Sequence, residues 1–137
     1  VIEYNVRMGD PETEVVLPRI KTDLVAVFEA TYKQTLDNLH FEIDTRAAAT
    51  VMLVSGGYPE AYEKGAVISG LENVSDSLLF HAGTALKDDA VVTSGGRVIA
   101  VTSIDADYKK AIKKSYQNIE KLSFNRMNFR NDIGFDL

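Results

Sequence analysis

Residues 47–55 read AAATVMLVS, a nearly continuous apolar run closed by the pair Gly56-Gly57. An apolar run this short, stopped by turn residues, has the length of a β-strand. Further runs of the same kind follow: AVISGL (66–71), SLLFHAGT (77–84), DAVVTS (89–94) and RVIAVTSI (97–104). Gly95-Gly96 separates the last two, and a glycine pair suits a tight turn, so these two are expected to form a hairpin. DADYKKAIKKSYQNIEKL (105–122) then changes to helical spacing, with Tyr108, Ala111, Ile112, Ser115, Ile119 and Leu122 on an inner stripe and lysines outside. The last stretch, SFNRMNFRNDIGF (123–135), mixes polar and aromatic residues and is expected to pack in short irregular pieces. Successive strands with one amphipathic helix predict an antiparallel sheet covered on one face.

Upstream of residue 47 the rhythm differs. VIEYNVRM (1–8) alternates as a strand does, with Ile2, Tyr4, Val6 and Met8 on one side and Glu3, Asn5 and Arg7 on the other. GDPET (9–13) then opens a short helix. Asp10 stands at the N-cap, Pro11 suits the first helical position, and Glu12 and Glu14 complement the positive end of the helix dipole. Val15, Val16, Leu17 and Ile20 form its inner side, and Pro18 kinks or ends it. A second helix starts near Thr22, capped by Thr22 or Asp23, with Leu24, Val25, Phe28 and Tyr32 spaced for one face. The fold class is therefore α+β, with a boundary near residues 44–47: a strand plus helices in 1–46, and a small antiparallel sheet domain with its covering helix in 47–137. A strand that opens at Val1 takes its neighbours from elsewhere, so the chain is expected to be part of a longer one.

Composition narrows the function classes. With 137 residues, 45% of them hydrophobic and 26% charged, the chain is about one globular domain long. A net charge of −5 and a pI near 5.0 argue against nucleic acid or an anionic membrane as the main partner. The absence of cysteine removes disulfides, zinc thiolates and thiol nucleophiles. No apolar run approaches the ~20 residues that span a bilayer. No signal peptide is visible, and the cytoplasm is the expected location.

Four features bear on chemistry. Glu3 and Asn5 bring two oxygens to one strand face, the ligand type that magnesium takes alongside water and substrate phosphates. Arg7, two residues on, suits a phosphoryl oxygen and the charge that develops there. The plain alternative is an exposed polar strand face, and spacing alone does not separate the two. SGGYPEAYEKG (55–65) lacks the G-K-[ST] of a phosphate loop and reads as a turn, with Lys64 solvated or else meeting an anion. Arg97 follows two glycines whose backbone can approach a ligand closely, or else decorates an exposed turn. His81, among apolar neighbours, is expected to be a satisfied core histidine.

Read in order, the blocks E-x-N-x-R, GDPET, SGGYPEAYEKG, FHAGT, TSGGRVIAVT and DIG resemble the end of the glycinamide ribonucleotide synthetase (phosphoribosylamine–glycine ligase) family. The resemblance covers essentially the whole chain. Met8 departs from the phenylalanine usual in that family, on the apolar side where it affects packing. The resemblance implies the end of an ATP-grasp core followed by the family's C-terminal sheet domain. It implies Glu3 and Asn5 as ligands of Mg2+ (or Mn2+) shared with the co-substrate ATP, and Arg7 as the catalytic residue that steadies an acyl phosphate. It offers Asp10 and Glu12 for the ammonium of glycine or the amine of phosphoribosylamine, with helix capping and dipole pairing as their other reading. It offers Arg97, with Gly95 and Gly96, as the grip on the 5-phosphate.

The implied reaction joins glycine to phosphoribosylamine with ATP, giving glycinamide ribonucleotide, ADP and phosphate in purine biosynthesis. Expected partners are those small molecules and an N-terminal part of the same chain, without nucleic acid or membrane; the 137 residues alone are expected to be inactive. The competing readings are another ATP-grasp carboxylate–amine ligase or carboxylase, and a non-catalytic binding or assembly module. The order of the blocks disfavours the first, and the intact Glu3, Asn5 and Arg7 disfavour the second.

Overall fold

The computed structural model describes residues 2, 5–9 and 11–137. Glu3 and Asp10, the expected metal ligand and the expected cap or substrate carboxylate, lie outside the described residues, as do Val1 and Tyr4.

Residues 47–55 form strand β1 (Ala47–Ser55), whose inward residues Ala49, Val51, Leu53 and Ser55 are buried. It pairs antiparallel with β5 (Arg97–Asp105), Ala47 opposite Asp105 and Leu53 opposite Ile99, with a bulge at Leu53/Val54. β2 (Leu78–His81) pairs with the other edge of β5, and β6 (Met127–Asn128) with the end of β1. The sheet order is β2-β5-β1-β6. β5 is buried continuously from Val98 to Ser103, as its unbroken apolar run requires of a strand covered on both faces.

Helix α3 (Tyr108–Ile119) lies across β1 and β5. Asp107 caps it by accepting the Lys110 N–H at 2.9 Å. Ala111, Ser115, Ile119 and Leu122 are buried as the spacing predicts, and Asn118 is buried with them. Polar groups in this interface satisfy one another. Ser115 Oγ meets Ser103 Oγ at 2.8 Å, Ser103 Oγ meets Ser77 Oγ at 2.6 Å, and Asn118 Nδ2 donates to Ser77 Oγ at 2.7 Å and Ser75 O at 2.9 Å.

The expected hairpin across Gly95-Gly96 does not form. β4 (Ala90–Thr93) pairs instead with β3 (Thr84–Lys87), in a separate two-stranded sheet. Lys87 faces Ala90 across a two-residue turn, Asp88-Asp89, with φ of 49° and 61°. Both central residues at positive φ give the turn whose twist matches a hairpin, and aspartate is among the few residues that tolerate it. AVISGL likewise makes only single bridges, Val67 to Val92 and Ser69 to Ser123. His81 is exposed at the end of β2, its Nδ1 3.0 Å from Thr84 Oγ1, so it is no core histidine.

In the N-terminal segment, α1 (Glu12–Val16) follows Pro11 directly and tightens at Pro18 into a 3-10 turn over Leu17–Arg19. α2 (Leu24–Tyr32) is capped by Asp23, which accepts the Val25 N–H at 2.8 Å. The described residues among 2–9 form no strand, and Ile2 and Val6 are fully exposed. A strand needs a neighbouring ladder, and none of the described strands pairs with the described residues of this stretch. The predicted inner face of α2 is also open: Val25, Phe28 and Tyr32 are 62%, 66% and 89% exposed. Helical spacing puts apolar residues on one face without supplying the surface that covers it. Asp44, just ahead of β1, is held to the 3-10 turn: its N–H donates to Arg19 O at 2.6 Å and its carbonyl accepts Arg19 Nη2 at 3.1 Å.

Candidate functional site

Arg97 is the first residue of β5, beside the bulge that interrupts its ladder with β1. Bulges redirect side chains at the ends of strands. Here Ser55 holds the preceding pair, its N–H donating to Gly96 O at 2.8 Å and its hydroxyl to Gly95 O at 2.9 Å. Neither glycine has a left-handed φ. Their lack of side chains serves close packing instead. The ring of Tyr58 occupies the space a Gly96 side chain would need, and a Cβ on Gly83 would come within 2.6 Å of Gly95 Cα. Gly83 O accepts the N–H groups of Ser94 at 2.8 Å and of Gly95 at 3.1 Å. The Gly95 N–H is thus spent inside the protein.

An open cleft of about 600 Å³ forms against this corner. Arg7, Met8, Gly9, Thr13 and Glu14 line it from the N-terminal segment, and Met52, Tyr58, Tyr62, Ala82, Gly83, Gly96 and Arg97 from the sheet domain. Two arginines far apart in sequence therefore share one cavity. The Tyr58 and Tyr62 rings, 6.1 Å apart and tilted by 59°, form its aromatic wall. A second hollow of about 490 Å³ shares Met52, Tyr58 and Arg97 and runs toward Phe129 and Arg130.

The other expected residues are placed as follows. Asn5 is exposed and does not line the cleft. The Glu12 carboxylate accepts the Gly9 N–H at 2.5 Å, which ties it to the backbone ahead of its own helix. Its local capping role is therefore occupied. Glu14, read at first only as a dipole partner, lines the cleft, as do Tyr58 and Tyr62 of the loop read as a turn. The signal that could have found the tyrosines is their four-residue spacing beside a glycine pair. Among the described residues no cluster of three or more His, Asp or Glu is placed to hold a metal ion.

The family model described as phosphoribosylglycinamide synthetase, C domain, matches residues 48–136. The chain belongs to this family. It is 45% identical over 133 residues to a phosphoribosylamine–glycine ligase of Caldanaerobacter subterraneus, covering 97% of this chain and 32% of that protein. It is 45% identical to a bifunctional purine biosynthetic protein of Dictyostelium discoideum, covering 98% of this chain and 17% of the relative. The crystal structure of a phosphoribosylamine–glycine ligase from Thermotoga maritima matches with a TM-score of 0.73 at 35% identity, over 96% of this chain and 32% of that one. The chain thus spans about a third of the length of its single-function ligase relatives. The synthetase C-domain fold is the α+β architecture read from the sequence. Among the described residues no helix is long and apolar enough to cross a membrane.

Proposed function

We propose that this chain forms the C-terminal part of a phosphoribosylamine–glycine ligase. ATP phosphorylates the carboxylate of glycine, and the amine of 5-phosphoribosylamine displaces phosphate from the acyl phosphate to give glycinamide ribonucleotide. The observation that carries the proposal is the convergence of Arg7 and Arg97 on one cleft beside a close-packed glycine corner. One guanidinium suits the charge that builds on the acyl phosphate, and the other the 5-phosphate of the acceptor. Gly96 serves this role by admitting the Tyr58 ring, which walls the cleft.

Glu3 and Asn5 would hold magnesium or manganese. A carboxylate and an exposed amide oxygen are donors a hard cation accepts, with nucleotide phosphates and water completing its shell. The ion would screen the phosphates of ATP during transfer. The adenine pocket and the remaining ATP contacts would lie in the rest of a longer protein, since this chain spans about a third of its ligase relatives. The setting is cytoplasmic small-molecule metabolism.

The test uses the full-length protein. Calorimetric titration of glycinamide ribonucleotide should show Arg97→Ala weakening binding about 10- to 150-fold, the worth of a charge-assisted hydrogen bond. Arg7→Ala should lower kcat with ATP and glycine saturating. Unchanged product affinity in Arg97→Ala would remove the 5-phosphate assignment.

A further inference from the structure

Lys64 lines a hollow of about 240 Å³ that shares no lining residue with the cleft. Arg126 lines it too, with Glu63, Asn125 and Gly56 among its neighbours. Both cations stand beside pinned backbone. Arg126 precedes Met127, which pairs with Ser55 across the β1–β6 ladder and whose N–H closes a turn onto Phe124 O at 3.1 Å. Lys64 precedes Gly65, whose N–H donates to Thr93 O at 2.6 Å. The next N–H, of Ala66, donates to Thr93 Oγ1 at 3.1 Å. Arg126 has a φ of 56°, in the left-handed region that residues with a side chain seldom enter. Gly56 makes room for it: a Cβ there would come within 2.6 Å of Arg126 Cβ and 3.3 Å of Arg126 Nε. The stem of the arginine therefore lies against the glycine.

Neither Lys64 nor Arg126 has a hydrogen-bond or ion-pair partner among the described residues, and Glu63 in the same hollow pairs with neither. Two like charges on one small hollow favour an anion between them. Pockets for drug-sized ligands run from about 300 Å³ upward, so this one suits a compact group of a few heavy atoms. Lysine and arginine are the donors that phosphate oxygens take. Glu63 adds a condition. An ionised carboxylate accepts and cannot donate, so it repels a bare anion but accepts a hydrogen bond from one that carries a hydroxyl. We propose that this hollow is a second anion site, apart from the cleft, whose ligand is inorganic hydrogen phosphate, held by Lys64 and Arg126 with its hydroxyl turned to Glu63. An ion that bridges Lys64 and Arg126 fastens the loop carrying Tyr58 and Tyr62 to the edge of the sheet. This site does not depend on the role given to the cleft.

Three dianions test the assignment on the full-length protein at about pH 8: hydrogen phosphate, sulfate and glycerol 3-phosphate. At that pH a phosphate monoester has lost its second proton, so only hydrogen phosphate keeps a hydroxyl on its central atom. Calorimetric titration should rank it about 10-fold or more above the other two, and Glu63→Gln should narrow that gap. Arg126→Asn removes the guanidinium while keeping a residue that tolerates the left-handed turn. It and Lys64→Gln should each weaken phosphate by about 10-fold. Added phosphate should raise the Tm of the wild type and of neither variant. Arg97→Ala should retain the site, which separates it from any anion held in the cleft. No binding at millimolar phosphate, an affinity unchanged in both Arg126→Asn and Lys64→Gln, or its loss in Arg97→Ala would overturn the site. Sulfate or glycerol 3-phosphate bound as tightly as phosphate would overturn hydrogen phosphate as the ligand.

Discussion

A methyl group on Gly96 would overlap the ring of Tyr58, and that ring also walls the cleft. Gly96→Ala should therefore both destabilise the fold, by about 1–3 kcal/mol of overpacking, and disturb the site. A variant as stable as wild type in urea would show that Tyr58 turns away at little cost. Asp44 offers a second test. The Arg46 side chain forks onto its carboxylate (2.7–3.1 Å) and the Arg46 N–H adds a third donor at 3.0 Å, holding the carboxyl well below the usual carboxylate range. A depressed pKa in the folded state favours folding above the unfolded value of about 4, and that advantage is lost as pH falls below it. The stability gap between wild type and Asp44→Asn should be full near pH 7 and shrink steadily toward pH 2. A gap independent of pH would mean that the fork does not form in solution. Arg7 and Arg97 were legible as candidates through the resemblance, since their spacing alone fits an exposed polar face or an exposed turn equally well. Which of Glu12 and Glu14 meets the cleft was not, since that depends on where the helix sits against a sheet over thirty residues away.

Between elements, the α3–sheet interface combines an apolar stripe with a polar seam. Asn118 joins Ser75 and Ser77, and its Oδ1 accepts Lys121 Nζ at 2.8 Å. Asn118→Ala should cost about 1–3 kcal/mol, since it strands several partners at once, and should lower the Tm by several degrees. An unchanged Tm would mean that water replaces the amide without loss. The stripe was readable from helical spacing, but Asn118 was not, because a buried asparagine is defined by its partners, here Ser75 and Ser77 in the loop that leads into β2. The hairpin was misplaced for a related reason. Gly-Gly is the stronger turn signal by composition, yet Asp88-Asp89 sits at the distance that lets β3 and β4 pair, and Gly95-Gly96 is needed to pass close to Gly83 and Tyr58.

At the scale of the molecule, the sheet domain closes a core around β5, while α2 leaves Val25, Phe28 and Tyr32 uncovered. Replacing Phe28 and Tyr32 together by lysine should leave stability within about 1 kcal/mol, as for other exposed positions, and reduce concentration-dependent association in light scattering. A large loss of stability would place a hidden contact on that face. The strand order was beyond sequence reasoning, since β5 prefers β1 and β2 to the hairpin strand just before it. That preference has a kinetic side. Ala47 meets Asp105 and Val54 meets Arg97, so partners in the central ladder stand about fifty positions apart, and their loop must close before the ladder compensates for the lost chain entropy. Non-local pairing of this kind belongs to chains that refold in milliseconds to seconds. If the central ladder nucleates folding, Val51→Ala and Val101→Ala should slow refolding, whereas changes at the Asp88-Asp89 turn, which joins only neighbours, should chiefly hasten unfolding.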